Sequence, residues 1–182
     1  MNHTLNIPTA HRYDRIAIFF HWSLAVLVPC LIGLGWYMLS IEEQPDSAWY
    51  FALHVSLGLT AAALMALRIS WGSEHRPPPL PAAMAIWQAT AARLSHLLMY
   101  VLLVLMPITG YLGASFSGEA VAYFGAPLPA WAGKNDALKE LLFGAHSIIA
   151  WVLVSVICIH VLGALKHVFV DKDTLLRRMW FR

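Results

Sequence analysis

Charged residues are scarce in this sequence. Of its 182 residues, only 12 are Lys or Arg and 10 are Asp or Glu, whereas 59% are hydrophobic. Soluble domains typically contain about 25% charged residues, so this composition excludes an ordinary soluble protein and favours a membrane protein. The net charge of +2 is small, and we expect no nucleic-acid partner.

Cysteine is also rare. The two cysteines, Cys30 and Cys158, both lie inside long apolar runs. That placement is typical of packing positions, and a disulfide framework or a CxxC-type metal site would need a different spacing. The first apolar run also lacks a small-residue cleavage pattern after a short core, so we expect it to remain as a membrane anchor and not to act as a removable signal peptide.

Four long apolar runs dominate the chain. They predict helices at about 16–39, 48–68, 94–116 and 141–170, each long enough to cross a hydrocarbon core of about 30 Å. The predicted fold is therefore all-α, an integral membrane four-helix bundle that forms a single domain over residues 1–182.

Basic residues are distributed unevenly between the two sides of this bundle. Only Lys134 and Lys139 fall on the side opposite the termini. Because Lys and Arg are enriched in cytoplasmic loops, this asymmetry predicts that both termini are cytoplasmic. The ten on the termini side are Arg12, Arg15, Arg68, Arg76, Arg93, Lys166, Lys172, Arg177, Arg178 and Arg182.

Two histidines interrupt the fourth apolar run. His146 and His160 are separated by 14 residues, which places them about 21 Å apart along a helix and only about 40° apart around it. Ionisable side chains inside a membrane are costly and by default indicate function. Haem iron takes imidazole as an axial ligand, so one haem near each membrane surface would explain the pair. The alternative is that each histidine hydrogen-bonds a neighbouring helix.

The alternating direction of the helices converts sequence position into depth. His54 and His146 each lie about one turn inside the external side and can ligate one haem. His21 and His160 lie in the inner half and can ligate a second. His96 enters near the cytoplasmic surface and is an alternative to His21 on depth alone, although the deeper position of His21 favours His21.

Several motifs together resemble the bacterial cytochrome b561 family of four-helix, dihaem membrane cytochromes, over nearly the whole chain. They are R-x5-HW from Arg15 to Trp22, HVSLG from His54 followed by Arg68, RLSHLLMY and LMPITG between Arg93 and Gly110, FGAPLP from Phe124, the pair His146 and His160, and KDTLLRRM near the C-terminus. The resemblance implies a multi-pass protein of the bacterial inner membrane. It also implies two haem b groups, ligated by His21, His54, His146 and His160.

The resemblance further implies an oxidoreductase that passes electrons from a periplasmic donor, foremost superoxide, to ubiquinone. Lys134 and Lys139 are the only basic side chains on the external face, so a local positive field there would steer an anion, and we assign them as the candidate catalytic residues. The alternative is that they are solvated loop lysines balanced by Asp136 and Glu140.

Quinone reduction needs a proton source and hydrogen bonds near the inner haem. His167 lies seven residues after His160, on nearly the same helix face and close to the headgroups, where it suits a small molecule at the haem edge better than iron. Arg15, Lys166 or Arg93 would polarise a quinone carbonyl. Alternatively, these basic residues anchor the topology and contact phospholipid.

Two further interpretations compete with this one. The chain would instead be a haem-bearing membrane anchor subunit for a separate dehydrogenase, and an apolar docking surface on the loop from Phe124 to Trp131 would favour that. A haem-free transporter or structural bundle would use its histidines for packing and would show no Soret band.

Overall fold

Four long helices form the structure, a computed structural model that describes residues 12–80 and 84–180. All four are long and apolar enough to cross a membrane, which confirms the predicted four-helix membrane bundle. The first eleven residues, residues 81–83 and the last two residues, including Arg182, lie outside the described residues. The helices are α1 (Arg15–Ser40), α2 (Ser47–Glu74), α3 (Ile86–Ser115) and α4 (Asp136–Phe169).

Each helix begins before its predicted first residue, and at α1 and α4 a side-chain cap sets that start. The Asp14 carboxylate accepts hydrogen bonds from the backbone N–H groups of Ile16 and Ala17, both at 2.9 Å, and so starts α1. At α4, the Asn135 side chain accepts from the Leu138 N–H, and Asp136 in the first turn suits the helix dipole. The polar first turn of α4 therefore precedes the apolar run.

The bundle packs α1 against α2, α2 against α3 and α3 against α4. Val28, Leu102, Leu153 and Val156 form a buried cluster that joins α1, α3 and α4. Many other large apolar side chains along the helices face outward, which is the arrangement that a lipid environment stabilises. We call the end with Arg15 and Phe169 the termini end, and the opposite end the hairpin end.

A short β-hairpin lies in the connection between α3 and α4, where sequence analysis predicted only a loop. Its strands are β1 (Ala122–Tyr123) and β2 (Ala126–Pro127). The turn places Phe124 at φ 45° and Gly125 at φ 85°, a left-handed region that glycine tolerates best. The Phe124 N–H donates to Ser56 Oγ at 2.9 Å, so the hairpin is fastened to α2.

The C-terminal segment folds back onto the termini end of the bundle. It contains a 3-10 helix, Leu176–Met179. The Trp22 indole donates to the Met179 carbonyl at 2.7 Å, and the buried Arg178 guanidinium donates to the Pro79 carbonyl at 2.9 Å. The segment therefore ties α1 to the connection between α2 and α3.

Candidate functional site

Four of the predicted site histidines meet as two pairs, one toward each end of the bundle. His54 of α2 and His146 of α4 have ring centroids 6.2 Å apart, with an interplanar angle of 75°; we call them the outer pair. His21 of α1 and His160 of α4 have ring centroids 6.5 Å apart at 67° and form the inner pair. The histidines that were inferred to lie at the same depth are therefore neighbours in the structure.

The spacing of both pairs fits a metal ion held between two imidazoles. An imidazole nitrogen lies about 2.0 Å from a first-row metal, and the ring centre about 1.1 Å further, so two rings on one ion have centres about 6 Å apart. The observed separations of 6.2 and 6.5 Å fall near that distance. The residues present therefore fit bis-histidine haem at both levels.

α3 fixes the orientation of the His146 ring. Its Nδ1 atom lies 3.0 Å from the Met106 carbonyl oxygen and 3.2 Å from Thr109 Oγ1. The carbonyl can only accept, so Nδ1 carries the proton and donates to it. This leaves Nε2 unprotonated for a metal, the arrangement in which a ligand histidine is oriented through its other nitrogen.

His54 lacks a comparable protein partner. Its Nδ1 atom is buried and has no hydrogen-bond partner among the described residues. Leaving a polar group unpaired in this way costs about 1–3 kcal/mol. A role limited to hydrogen bonding a neighbouring helix therefore does not account for His54.

Glycines bring two neighbouring helices close to the outer pair. A Cβ atom added at Gly35 of α1 would lie 3.3 Å from His54 Cε1, and one at Gly110 of α3 would lie 3.0 Å from His146 Cε1. Both distances are too short for a comfortable side-chain contact. The missing side chains therefore let α1 and α3 pack directly on the two rings.

Three histidines converge at the inner level. His160 lies opposite His21 and also close to His96, whose ring centroid is 5.2 Å away at 59°. The 6.5 Å separation of His160 from His21 is nearer to that of two rings facing one metal ion. Trp22, next to His21, is fixed by its bond to Met179 and by an edge contact with Trp180 at 5.6 Å.

Sequence analysis assigned no role to Arg68 or to Tyr100, which lie near the inner pair. Arg68 of α2 donates through Nε to the Tyr100 hydroxyl of α3 at 3.0 Å. The motif that begins at His54 and ends at Arg68 drew attention to Arg68, but the role of that side chain depends on its contact with Tyr100 of the neighbouring helix, which the motif does not contain. Thr109 was missed at the outer pair for the same reason.

His167 forms a polar cluster at the end of α4. Its Nδ1 atom lies 2.7 Å from Asp173 Oδ2 and 3.2 Å from Asp171 Oδ2. Lys166 Nζ lies 2.6 Å from Asp171 Oδ2, and its hydrogen bond is the main cause that lowers the pKa of Asp171. Arg15 is exposed at the start of α1, and no hydrogen bond or ion pair between described residues joins it to His167.

The lysines at the hairpin end share one carboxylate. Lys134 Nζ and Lys139 Nζ each lie 3.6 Å from an oxygen of Asp136. The described residues at this end carry six acidic side chains against these two lysines, which gives a formal net charge of −4. A positive field that attracts anions can therefore be only local. The acidic residues are Glu42, Glu43, Asp46, Glu119, Asp136 and Glu140.

Four membrane helices that carry paired histidines at two depths define a membrane cytochrome. A family model described as prokaryotic cytochrome b561 matches residues 12–182. The chain belongs to this family, whose members transfer electrons in the membrane and typically bind haem b. It is accordingly a multi-pass protein of the bacterial inner membrane.

Named relatives match the chain along almost its whole length. Cytochrome b561 homolog 2 of Escherichia coli (strain K12) is 34% identical over 176 residues, which cover 94% of this chain and 92% of that protein. A probable superoxide oxidase CybB of Yersinia pestis is 28% identical over 92% of this chain and 95% of its own. Cytochrome b561 homolog 1 of Escherichia coli (strain K12) is 24% identical over 176 residues, which cover 93% of this chain and 97% of that protein.

Proposed function

We propose that this chain is a dihaem b cytochrome that transfers single electrons from a periplasmic donor to ubiquinone. The observation that supports it most directly is the presence of two histidine pairs, at metal-spanning separations, toward opposite ends of one bundle. His54 and His146 would hold the outer haem, and His21 and His160 the inner one. The hairpin end would face the periplasm and both termini the cytoplasm, as the positions of the basic residues predict.

The protein would bind and orient the two groups and keep water away from them. When bound, haem b with two histidine ligands accepts and donates one electron and has no open coordination position for oxygen. The Met106 carbonyl holds the proton at His146 Nδ1, so the opposite nitrogen stays available as a ligand. Apolar side chains that face outward around the helices would keep both levels within lipid and so limit the access of water.

Superoxide is the donor that we propose first. Two superoxide anions each lose one electron and leave as O₂, and one quinone that gains two electrons and two protons becomes quinol. The relative named as a probable superoxide oxidase supports this choice at 28% identity. Lys134 and Lys139 would act as a local attraction for the anion, because exposed ion pairs such as theirs with Asp136 are weak.

The experiment that tests this function is stopped-flow mixing of oxidised, purified protein with superoxide, with and without a ubiquinone analogue. We expect reduced b-type absorbance bands to appear rapidly and to decay when quinone is present. A matched double variant, Lys134→Gln with Lys139→Gln, should slow reduction by superoxide more strongly at low salt than at high salt. If the reduced bands appear with a chemical reductant but not with superoxide, superoxide is excluded as the donor.

His167 is the residue that we expect to serve the quinone. Its Nδ1 atom is held by Asp173, so Nε2 is the nitrogen that remains to hydrogen-bond a quinone oxygen. We predict that His167→Ala retains both haems but slows quinone reduction by about tenfold or more. Pre-reduced protein mixed with a quinone analogue measures this, and His75→Ala, an exposed histidine of the same end, is the control. An unchanged rate of quinone reduction in His167→Ala would leave His167 with only an anchoring role.

A protein donor is the second candidate, and the surface of the hairpin end favours it. Tyr123, Phe124 and Trp131 are 40%, 58% and 54% exposed. They lie on the loop where an apolar docking surface would favour an electron-transfer subunit that serves a separate dehydrogenase. The surrounding acidic residues would suit a basic redox protein. Phe124→Ala should then weaken reduction by such a donor and leave reduction by superoxide unchanged.

A further inference from the structure

Arg68 brings a fixed positive charge close to the inner pair. Its Nε donates to the Tyr100 hydroxyl at 3.0 Å, and one terminal nitrogen lies 3.5 Å from the Ala17 carbonyl. The guanidinium carbon is 5.7 Å from the centre of the Tyr100 ring. These contacts, from α1 and α3, hold a half-buried side chain of α2 in one position. Ala17 lies one helical turn before His21 on α1, and Tyr100 lies one turn after His96 on α3, so these two contacts place Arg68 beside the inner level.

No described carboxylate neutralises this charge. No ion pair of Arg68 is formed within residues 12–80 and 84–180. The nearby Asp14 carboxylate instead accepts from two backbone N–H groups and from the Trp71 indole. Burial raises the pKa of the Tyr13 phenol, although Arg178 and Arg68 oppose it, so Tyr13 stays neutral and supplies no anion.

A half-buried cation favours a negative partner. Arg68 lies at the end of an apolar segment, and a charge there that is partly removed from water is costly unless it is paired or faces a polar cavity. The described residues use only two of the five N–H donors of Arg68, and the guanidinium fork binds carboxylates through two parallel hydrogen bonds. The donors that remain therefore match a carboxylate that arrives with a bound group.

We infer that Arg68, held by Tyr100, binds a propionate carboxylate of the inner haem and raises the reduction potential of that haem. This rests on the proposed function, because it requires a haem between His21 and His160. A nearby positive charge favours the state that has gained an electron. Arg68 would thereby make the inner site the better electron acceptor and favour transfer from the outer to the inner level.

The decisive comparison is between Arg68→Gln and wild type. Glutamine keeps part of the size and hydrogen bonding but removes the charge. We expect Arg68→Gln to reduce the equilibrium constant for one-electron reduction of the inner haem by about tenfold, a fall of about 59 mV. Arg68→Lys should lie between the two, because it keeps the charge but loses the fork. Tyr100→Phe should lower the potential less, since it removes only the group that positions Arg68.

The measurement is a spectroelectrochemical titration of the purified proteins, with haem content per chain determined separately. The inner component is identified as the one missing in His160→Ala. Arg76→Gln is the matched control, because it removes an exposed arginine at the same end. It should leave both potentials unchanged.

Each outcome separates this inference from the proposed function. Wild-type protein that binds no haem would overturn both. Two haems in Arg68→Gln with an unchanged inner potential, or the same shift in Arg76→Gln, would overturn only the role of Arg68. If Arg68→Gln loses one haem and Arg68→Lys restores it, the carboxylate contact is supported. Loss of both haems in both Arg68 variants would indicate a folding role and contradict the inference.

Discussion

His146→Ala is expected to reduce the haem content from two per chain to one, with the inner haem retained. The substitution removes the imidazole that faces His54 at 6.2 Å, and alanine offers no ligand. His54→Ala should give the same result, because each histidine supplies one of the two axial bonds. A pyridine haemochrome assay normalised to protein measures this loss directly, and the remaining Soret band should titrate as a single component.

The control for these variants is a histidine outside both pairs. His75 is exposed and stacks on Trp71, with ring centroids 3.8 Å apart, so His75→Ala should retain two haems. Full haem content in His146→Ala would contradict the outer ligand assignment. Thr109→Val tests the orientation of the ring separately: it removes one acceptor at His146 Nδ1 and leaves Met106, so haem should be retained but bound less tightly.

The same assay decides between the cytochrome and the haem-free bundle. A bundle that used its histidines only for packing would show no Soret band and would tolerate alanine at position 54 or 146. The buried, unpaired Nδ1 of His54 already disfavours that interpretation, because replacing an unsatisfied polar group by an apolar one would stabilise such a bundle.

The helices and the depths of the histidines could be predicted because both depend on local sequence. Uncharged runs of sufficient length specify spanning helices, and 14 residues at 3.6 per turn place His146 and His160 on one face whatever surrounds them. The alternating directions of the helices then indicated His54 as the partner of His146 and His21 as the partner of His160. Helix ends were less predictable, since α4 begins at a cap, Asn135, and not at the first apolar residue.

Contacts between helices could not be predicted from the same information. Gly110 is an ordinary membrane-helix glycine in sequence, and only packing shows that it faces His146. Sequence analysis used Arg178 only as one of the basic residues on the termini side, whereas the structure shows that it is buried and donates to the Pro79 carbonyl. The bond between Arg68 and Tyr100 joins residues 32 positions apart, and no periodicity predicts it.

The inner level yields the second large expected effect, because three histidines compete there for two ligand positions. His160→Ala should remove the inner haem in every case, since both His21 and His96 lie beside it. His21→Ala should also leave one haem per chain. His96→Ala should retain two, because the 5.2 Å separation of its ring from His160 is shorter than that of two imidazoles on one metal ion.

Haem content and the low-temperature absorbance spectrum measured together distinguish the two ligand assignments. If His96 were the ligand, His96→Ala would lose the inner haem and His21→Ala would keep it with an unchanged spectrum. The reverse pattern is expected, with a small spectral shift in His96→Ala because a neighbouring polar ring changes the surroundings of the haem. The anchoring of Trp22 by the Met179 carbonyl at 2.7 Å supports this order, since it fixes the helix turn that carries His21.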